Sequence, residues 1–290
     1  MGYCFVFISL LAGSTKGFLG KLLSKHTSNY NSSVFMNLIR MLICIFIGFG
    51  ILITEPAIKV DTSGIIFGVL AGISISVFVI TWLLAIKYGA FMLVSIAQMF
   101  GVIVTLLLSF IVFGEKASAQ QILGVVLVVI AILIMISYNN TTKGKLTKTA
   151  SICLFLCGLS SGLLDFSQKL FTHYSEGSVA LLNFITYVSA TILLGAYFIG
   201  FSRKDASVQY KKLFKETFLV IFAMSVCLFL NSYFKALATR YLSATQIYPV
   251  YQSGGLILSA LMSAIFFKEK ITKRCILGMC IAFIAILLLK

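Results

Sequence analysis

Ten runs of mostly apolar residues, each long enough to cross a bilayer, dominate this chain. They cover approximately 2–23, 32–53, 63–86, 90–113, 118–138, 149–172, 178–201, 217–240, 243–267 and 272–289. A helix rises about 1.5 Å per residue, so about 20 residues cross a hydrocarbon core of about 30 Å. The apolar residues are continuous and do not alternate, which argues for helices and against an outer-membrane barrel. Only 11% of the 290 residues are charged and 60% are hydrophobic, so polar side chains are too few to clothe a water-soluble domain. The expected fold class is an all-α integral membrane protein with ten transmembrane helices. The first run has no basic region ahead of it and continues past any plausible cleavage point, so it reads as a retained span.

The chain also repeats itself. A shift of 154 residues places Gln98 on Gln252, Gly101 on Gly255, Ser109 on Ser263, Phe113 on Phe267 and Glu115 on Glu269 without a gap. Earlier spans match at a shift of 145, with Gly13 on Gly158, Gly17 on Gly162 and Ser33 on Ser178. The expected domains are a first five-span repeat over 1–140, a short basic linker over 141–148 and a second repeat over 149–290. Five is odd, so the second half enters from the opposite side and the repeats are inverted. That is a common architecture of secondary transporters, in which two similar halves exchange conformations around a central site.

Certain residues carry a resemblance over nearly the whole chain. They are the small-residue stretch Gly13-Ser14-Thr15-Lys16-Gly17, Arg40 in the second span, and two joints with Gly nine residues after Glu. The joints are Phe113-Gly114-Glu115 leading to Gly124, and Phe267-Lys268-Glu269 leading to Gly278; Pro249 also fits. In these the chain resembles the ten-span, EamA-like branch of the drug/metabolite transporter superfamily. It departs from the pattern at Lys268, where that family often has Gly, and in the seventh span, which has no counterpart of Arg40. The resemblance implies a carrier of amino acids, metabolites, nucleotide sugars or drugs, and it leaves the cargo open.

Ionisable groups at membrane depth are costly and usually face a cavity or a partner. Let side A hold the N-terminus and side B lie opposite. At about 1.5 Å per residue, Lys16, Arg40 and Gln98 fall in one layer roughly 9–12 Å from side B. Asp165, Lys169 and Lys235 fall nearer side A and, with Gln252 roughly 13 Å in, form a second layer. Asp165 and Lys169 are four apart, which suits an intrahelical pair. Lys235, near its helix end, reads as snorkelling to the interface. By depth alone Lys16 and Asp165 lie about 15 Å apart along the membrane normal, too far for a direct pair.

In the ninth span, Tyr248-Pro249-Val250-Tyr251-Gln252-Ser253-Gly254-Gly255 joins a helix breaker to glycines and hydrogen-bonding side chains. A helix break at Pro249, Gly254 and Gly255 is expected there, lining a cavity. The expected substrate-binding set is Lys16, Arg40, Gln98, Asn231, Tyr248, Tyr251 and Gln252, with Tyr233, Thr81 and Trp82 as further candidates for the lining. Asp165, Lys169 and Lys235 are the candidates for coupling or charge pairing. Gly13, Gly17 and Gly20 lie near one helix face and suit close packing.

Enzymatic readings fare worse, because His26 and His173 are the only histidines and lack a surrounding Cys/Asp constellation. No phosphate-binding loop appears, so ATP-driven transport by this chain is not expected. The seven cysteines lie inside spans and read as packing residues. No metal or other cofactor is expected. The net charge of +15 lies chiefly in loops and suits anionic lipid headgroups, not nucleic acid. The expected partners are a small-molecule substrate and membrane lipids, with a homodimer as the candidate assembly.

The leading reading is a secondary carrier, in the cell membrane, for a small polar metabolite such as an amino acid or other carboxylate. A lipid-linked sugar flippase or its subunit, and a non-transporting scaffold or receptor, are the alternatives. Fifteen Lys and Arg flank side B against six on side A (Lys59, Lys116, Lys169, Lys235, Arg240 and Lys290). The positive-inside rule therefore places side B in the cytoplasm and both termini outside, whereas the resemblance implies both inside.

Overall fold

The computed structural model describes residues 1–55, 59–114, 118–142, 144–205, 207–242, 244–268 and 271–288. Eleven α-helices account for nearly all of them: α1 (Gly2–Ser24), α2 (Tyr30–Ile53), α3 (Thr62–Tyr88), α4 (Phe91–Ala97), α5 (Phe100–Phe113), α6 (Ala119–Thr142), α7 (Lys148–Tyr174), α8 (Val179–Gly200), α9 (Tyr210–Ala238), α10 (Ala244–Ile265) and α11 (Lys273–Leu288). Helices α4 and α5 together make one interrupted span. Eight of the resulting segments are long and apolar enough to cross a membrane by length and composition. Large side chains such as Phe46, Ile111, Ile192 and Leu219 point outward, as a lipid-facing surface requires.

Loop polar groups start several helices where water is again available. Asn29 accepts from the Ser32 amide while the Ser32 hydroxyl accepts from the Asn29 amide, a reciprocal cap at the head of α2. Asp61, Thr147 and Ser178 cap α3, α7 and α8 through the amides of Gly64, Ala150 and Leu181.

Packing occurs mainly between the halves, and it is symmetric under their exchange. Under the repeat, α1, α2, α3, α4–α5 and α6 correspond to α7, α8, α9, α10 and α11. The α1–α9 contact has its counterpart in α7–α3, α2–α9 in α8–α3, and α1–α10 in α7–α5, while α2–α8, α6–α11 and α4–α10 are their own counterparts. This is the contact pattern of a pseudo-two-fold axis.

The two ends are tied by corresponding loops. On side B, Asp205 accepts from Asn31 (2.7 Å) and Asn29 (3.0 Å), and from the Ser207 hydroxyl (2.6 Å) and amide (2.9 Å). These hydrogen bonds, that from Asn31 foremost, hold the Asp205 carboxyl down to about 2. On side A, Asp61 accepts from Ser175 at 2.6 Å, Lys59 pairs with Glu176 at 3.0 Å, and Arg240 donates to the Gly177 carbonyl at 2.7 Å.

Two features of the backbone differ from the sequence reading. Helix α10 runs uninterrupted through Pro249, Gly254 and Gly255, so the break expected there is absent. A proline removes one helical hydrogen bond without stopping a helix whose neighbours support it. The interruption lies instead in the fourth span, at Gln98 and Met99, the repeat counterpart of Gln252 and Ser253. There Met99, Gly101 and Val102 donate three residues back, to Ile96, Gln98 and Met99. That is a short tightening of 3₁₀ type, and it needs no proline.

Candidate functional site

A polar chamber lies at the centre of the bundle, where the two halves meet. One lobe, of about 70 Å³, is lined by Gly13, Ser14, Lys16 and Gly17 of α1, with Trp82, Phe91, Ser95, Gln98, Tyr251, Gln252, Gly255 and Ser259. The second, about 40 Å³, reaches toward side A past Asp165, Gln168, Asn231, Ser232 and Lys235. The lobes share Lys16, Gln98, Tyr251 and Gln252. Each holds water-sized space with polar walls, which in a membrane interior suits a solvated path.

Lys16 is only 8% exposed. Its ammonium lies 5.4 Å from the Phe78 ring centre and 5.5 Å from that of Trp82. Among the described residues no carboxylate forms an ion pair with it. Gln98 reaches the chamber from the interrupted span and Gln252 from its repeat counterpart, so two related amides face one space. Asn231 donates to the Ser9 carbonyl at 2.8 Å and to the Tyr251 hydroxyl at 2.7 Å, which fixes Tyr251 against the chamber wall.

Asp165 has a partner across helices. Lys235 of α9 donates directly to its carboxylate, and both side chains are almost fully enclosed. Lys235 therefore does not snorkel: α9 runs on to Ala238, which leaves the ammonium inside the bundle facing α7. Four residues beyond Asp165, the Lys169 ammonium lies 4.6 Å over the Phe113 ring toward side A. Lys16 and Asp165 line the same lobe of the chamber, Asp165 ion-paired and Lys16 facing aromatic rings.

Arg40 does not join Lys16. It is 1% exposed, its Nη1 donates to Asn37 Oδ1 at 2.5 Å, and Asn37 in turn donates to the Val79 carbonyl at 3.2 Å. Its Nε has no partner among the described residues. Depth placed Arg40 and Lys16 in one layer, but the rotation of α2 about its axis turns Arg40 away from the chamber lining. Gly255 lines the chamber and Gly254 packs on Leu10. The Tyr248 and Pro249 side chains lie outside the described residues. Gln168, Phe78 and Ser95 were missed; a polar Gln168 three residues after Asp165 was the available signal.

The two repeat-related seams beside the chamber differ. Between α5 and α7 the backbones touch: a methyl group on Gly162 would lie 2.4 Å from the Gly101 carbonyl oxygen, and one on Gly158 2.9 Å from that of Ala97. Thr105 donates to both Gly101 and Gly162 carbonyls at 3.0 Å. At the counterparts in α1 and α10 the nearest atoms belong to side chains: Asn231 and Tyr251 at 2.7 Å from a methyl on Gly13, Phe91 at 3.2 Å from one on Gly17, and Leu10 at 3.9 Å from one on Gly255. One seam is closed by backbone contact, and its counterpart is bridged only by side chains, some of which line the chamber.

Comparison with known proteins agrees with this architecture. The model of the EamA-like transporter family matches residues 1–137 and again 148–290. A solved structure titled only as the crystal structure of a protein superposes with a TM-score of 0.66, at 10% identity, over 99% of this chain and 95% of its own, which shows a shared fold. None of the curated proteins matches the chain. With both halves matched by one family model and arranged as interlocked counterparts around a polar chamber, the chain belongs to the EamA-like transporter family, a multi-pass membrane carrier and not an enzyme.

Proposed function

We propose that the protein carries a small carboxylate-bearing metabolite, an amino acid above all, by alternating exposure of the central chamber. The observation that supports this is Lys16, a buried ammonium in the chamber with aromatic faces and no ion-paired carboxylate among the described residues. Two rings return about 0.5–2 kcal/mol each toward the cost of a charge at this depth, and neither accepts an ordinary hydrogen bond from the ammonium. A substrate carboxylate supplies the missing charge-assisted hydrogen bond. Gln98 and Gln252 bond the rest of the molecule. The Asp165–Lys235 pair is the candidate coupling element, since a proton or substrate ammonium at Asp165 would release Lys235. The unequal seams support the transport cycle: closure of α1 on α10 through Gly13, Gly17 and Gly255, with opening of α5 from α7, is the exchange of conformations that inverted halves allow.

Counterflow in proteoliposomes loaded with an unlabelled amino-acid mixture tests this. Wild-type protein should exchange radiolabelled amino acids, Lys16→Met should not, and Lys16→Arg should retain part of the rate, with all three eluting monodisperse. Undiminished counterflow in Lys16→Met overturns the site. Exchange of a quaternary amine but of no carboxylate-bearing probe overturns the substrate class.

A further inference from the structure

Away from the chamber, a second cavity of about 260 Å³ opens on the outer face of the bundle among α4, α5, α6 and α7. Its walls are apolar apart from Ser151, and it is open to the side: Leu133 is 61% and Phe155 57% exposed. The Phe100 and Phe155 rings, 5.6 Å apart, both contribute to the lining. Counting about 1.5 Å per residue, it runs from Leu146 and Ser151 at the side-B interface to Val129, roughly 20 Å along α6 from Thr142. That covers one leaflet, the length of an extended acyl chain.

The interfacial end of the groove is cationic. Lys145 and Lys148 flank Leu146, both are exposed, and neither has an ion-pair partner among the described residues. Lys148 also opens α7, whose first amides favour an anion at that end. The geometry points to a binding site for an anionic phospholipid, with one acyl chain in the α4–α7 groove and the phosphate between Lys145 and Lys148. A neutral lipid fits the groove equally well and lacks the second contact. The site borders α5 and α7, the pair whose seam is closed here, so an occupied groove braces this arrangement.

Native mass spectrometry of the full-length protein, titrated with phosphatidylglycerol or phosphatidylcholine of identical chains, separates these contributions. Wild-type protein should retain phosphatidylglycerol roughly 30-fold better, from two interfacial lysines at about a factor of five each. Lys145→Gln with Lys148→Gln should abolish that preference, while the same change at Lys211 and Lys212 should leave it intact. Leu133→Trp, at an exposed position that tolerates bulk, should weaken retention of both lipids by filling the groove. Equal retention of the two lipids by wild type overturns the proposal, as does a preference that survives loss of Lys145 and Lys148 or a groove-filling variant that binds unchanged.

Discussion

Gly162→Ala tests the closed seam most directly. The added methyl carbon would lie 2.4 Å from the Gly101 carbonyl oxygen, 2.6 Å from Val104 Cβ and 3.0 Å from Gly101 Cα. Ordinary contact at such atoms is about 3.5 Å, and all three belong to the backbone of α5 or to its stiff β-branched Val104, which cannot rotate aside. The helices must part by about 1 Å, with an overpacking cost of about 1–3 kcal/mol. Part of that cost falls on the Thr105 hydrogen bond to the Gly162 carbonyl. If the seam closes one end of the chamber, an opposing cost of this size shifts the equilibrium about 5- to 150-fold toward the state in which α5 and α7 have separated.

The repeat counterpart is the control. At Gly17 the nearest atom to the added methyl is Phe91 Cζ at 3.2 Å, the far end of a ring that can turn, so Gly17→Ala should cost well under 1 kcal/mol. The readout is modification of a cysteine at Gln168, on the side-A lobe, by an impermeant reagent in a cysteine-less background, together with thermal melting in detergent. Gly162→Ala should raise the labelling rate and lower the melting temperature, with Gly17→Ala near the starting protein in both. A Gly162→Ala protein that melts and labels like its parent would refute the idea that backbone contact holds this end shut.

Four further outcomes are expected. Asp205 is held at about 2, below its ordinary 3.8, so its contribution is complete above about pH 4 and is lost as pH falls toward 2; the melting difference between wild type and Asp205→Asn should shrink over that window, and a pH-independent difference contradicts it. Lys268 has φ 48° where its counterpart Gly114 has φ 64°, a left-handed joint that costs a side chain about 1 kcal/mol, so Lys268→Gly should raise and Gly114→Ala lower the melting temperature. Asp165→Asn strands a buried ammonium and should destabilise by about 3–5 kcal/mol, while Asp165→Asn with Lys235→Met should recover most of it, as steric-trapping measurements can show. Side B is expected in the cytoplasm, so in intact cells a cysteine at Val60 should label with an impermeant reagent and one at Lys211 should not; the reverse pattern places both termini inside.

The sequence by itself determined the solvent, the number of spans and the relation between the halves. Twenty-residue apolar runs leave helices as the only economical way to satisfy a backbone in lipid, and an odd-numbered repeat inverts regardless of how the helices pack. Lys16, Gln98, Asn231, Tyr251 and Gln252 were legible as chamber residues because polarity at mid-span has few other uses. Only the tertiary structure decided the partners. Depth along a helix follows from counting, but rotation about the axis does not, so Arg40 could share a layer with Lys16 and still turn toward Asn37. For the same reason the sequence offered Lys169, on the same helix, as a mate of Asp165, but not Lys235, which packing brings to it from α9. Pro249 signalled a break that α10 does not make, and Gln98 marks one that no residue type announced, since a 3₁₀ turn of ordinary residues is set by what packs beside it. The inequality of the two glycine seams has no sequence signal at all: the same spacing of glycines permits a closed contact or an open one, and which half holds which is a property of the conformation.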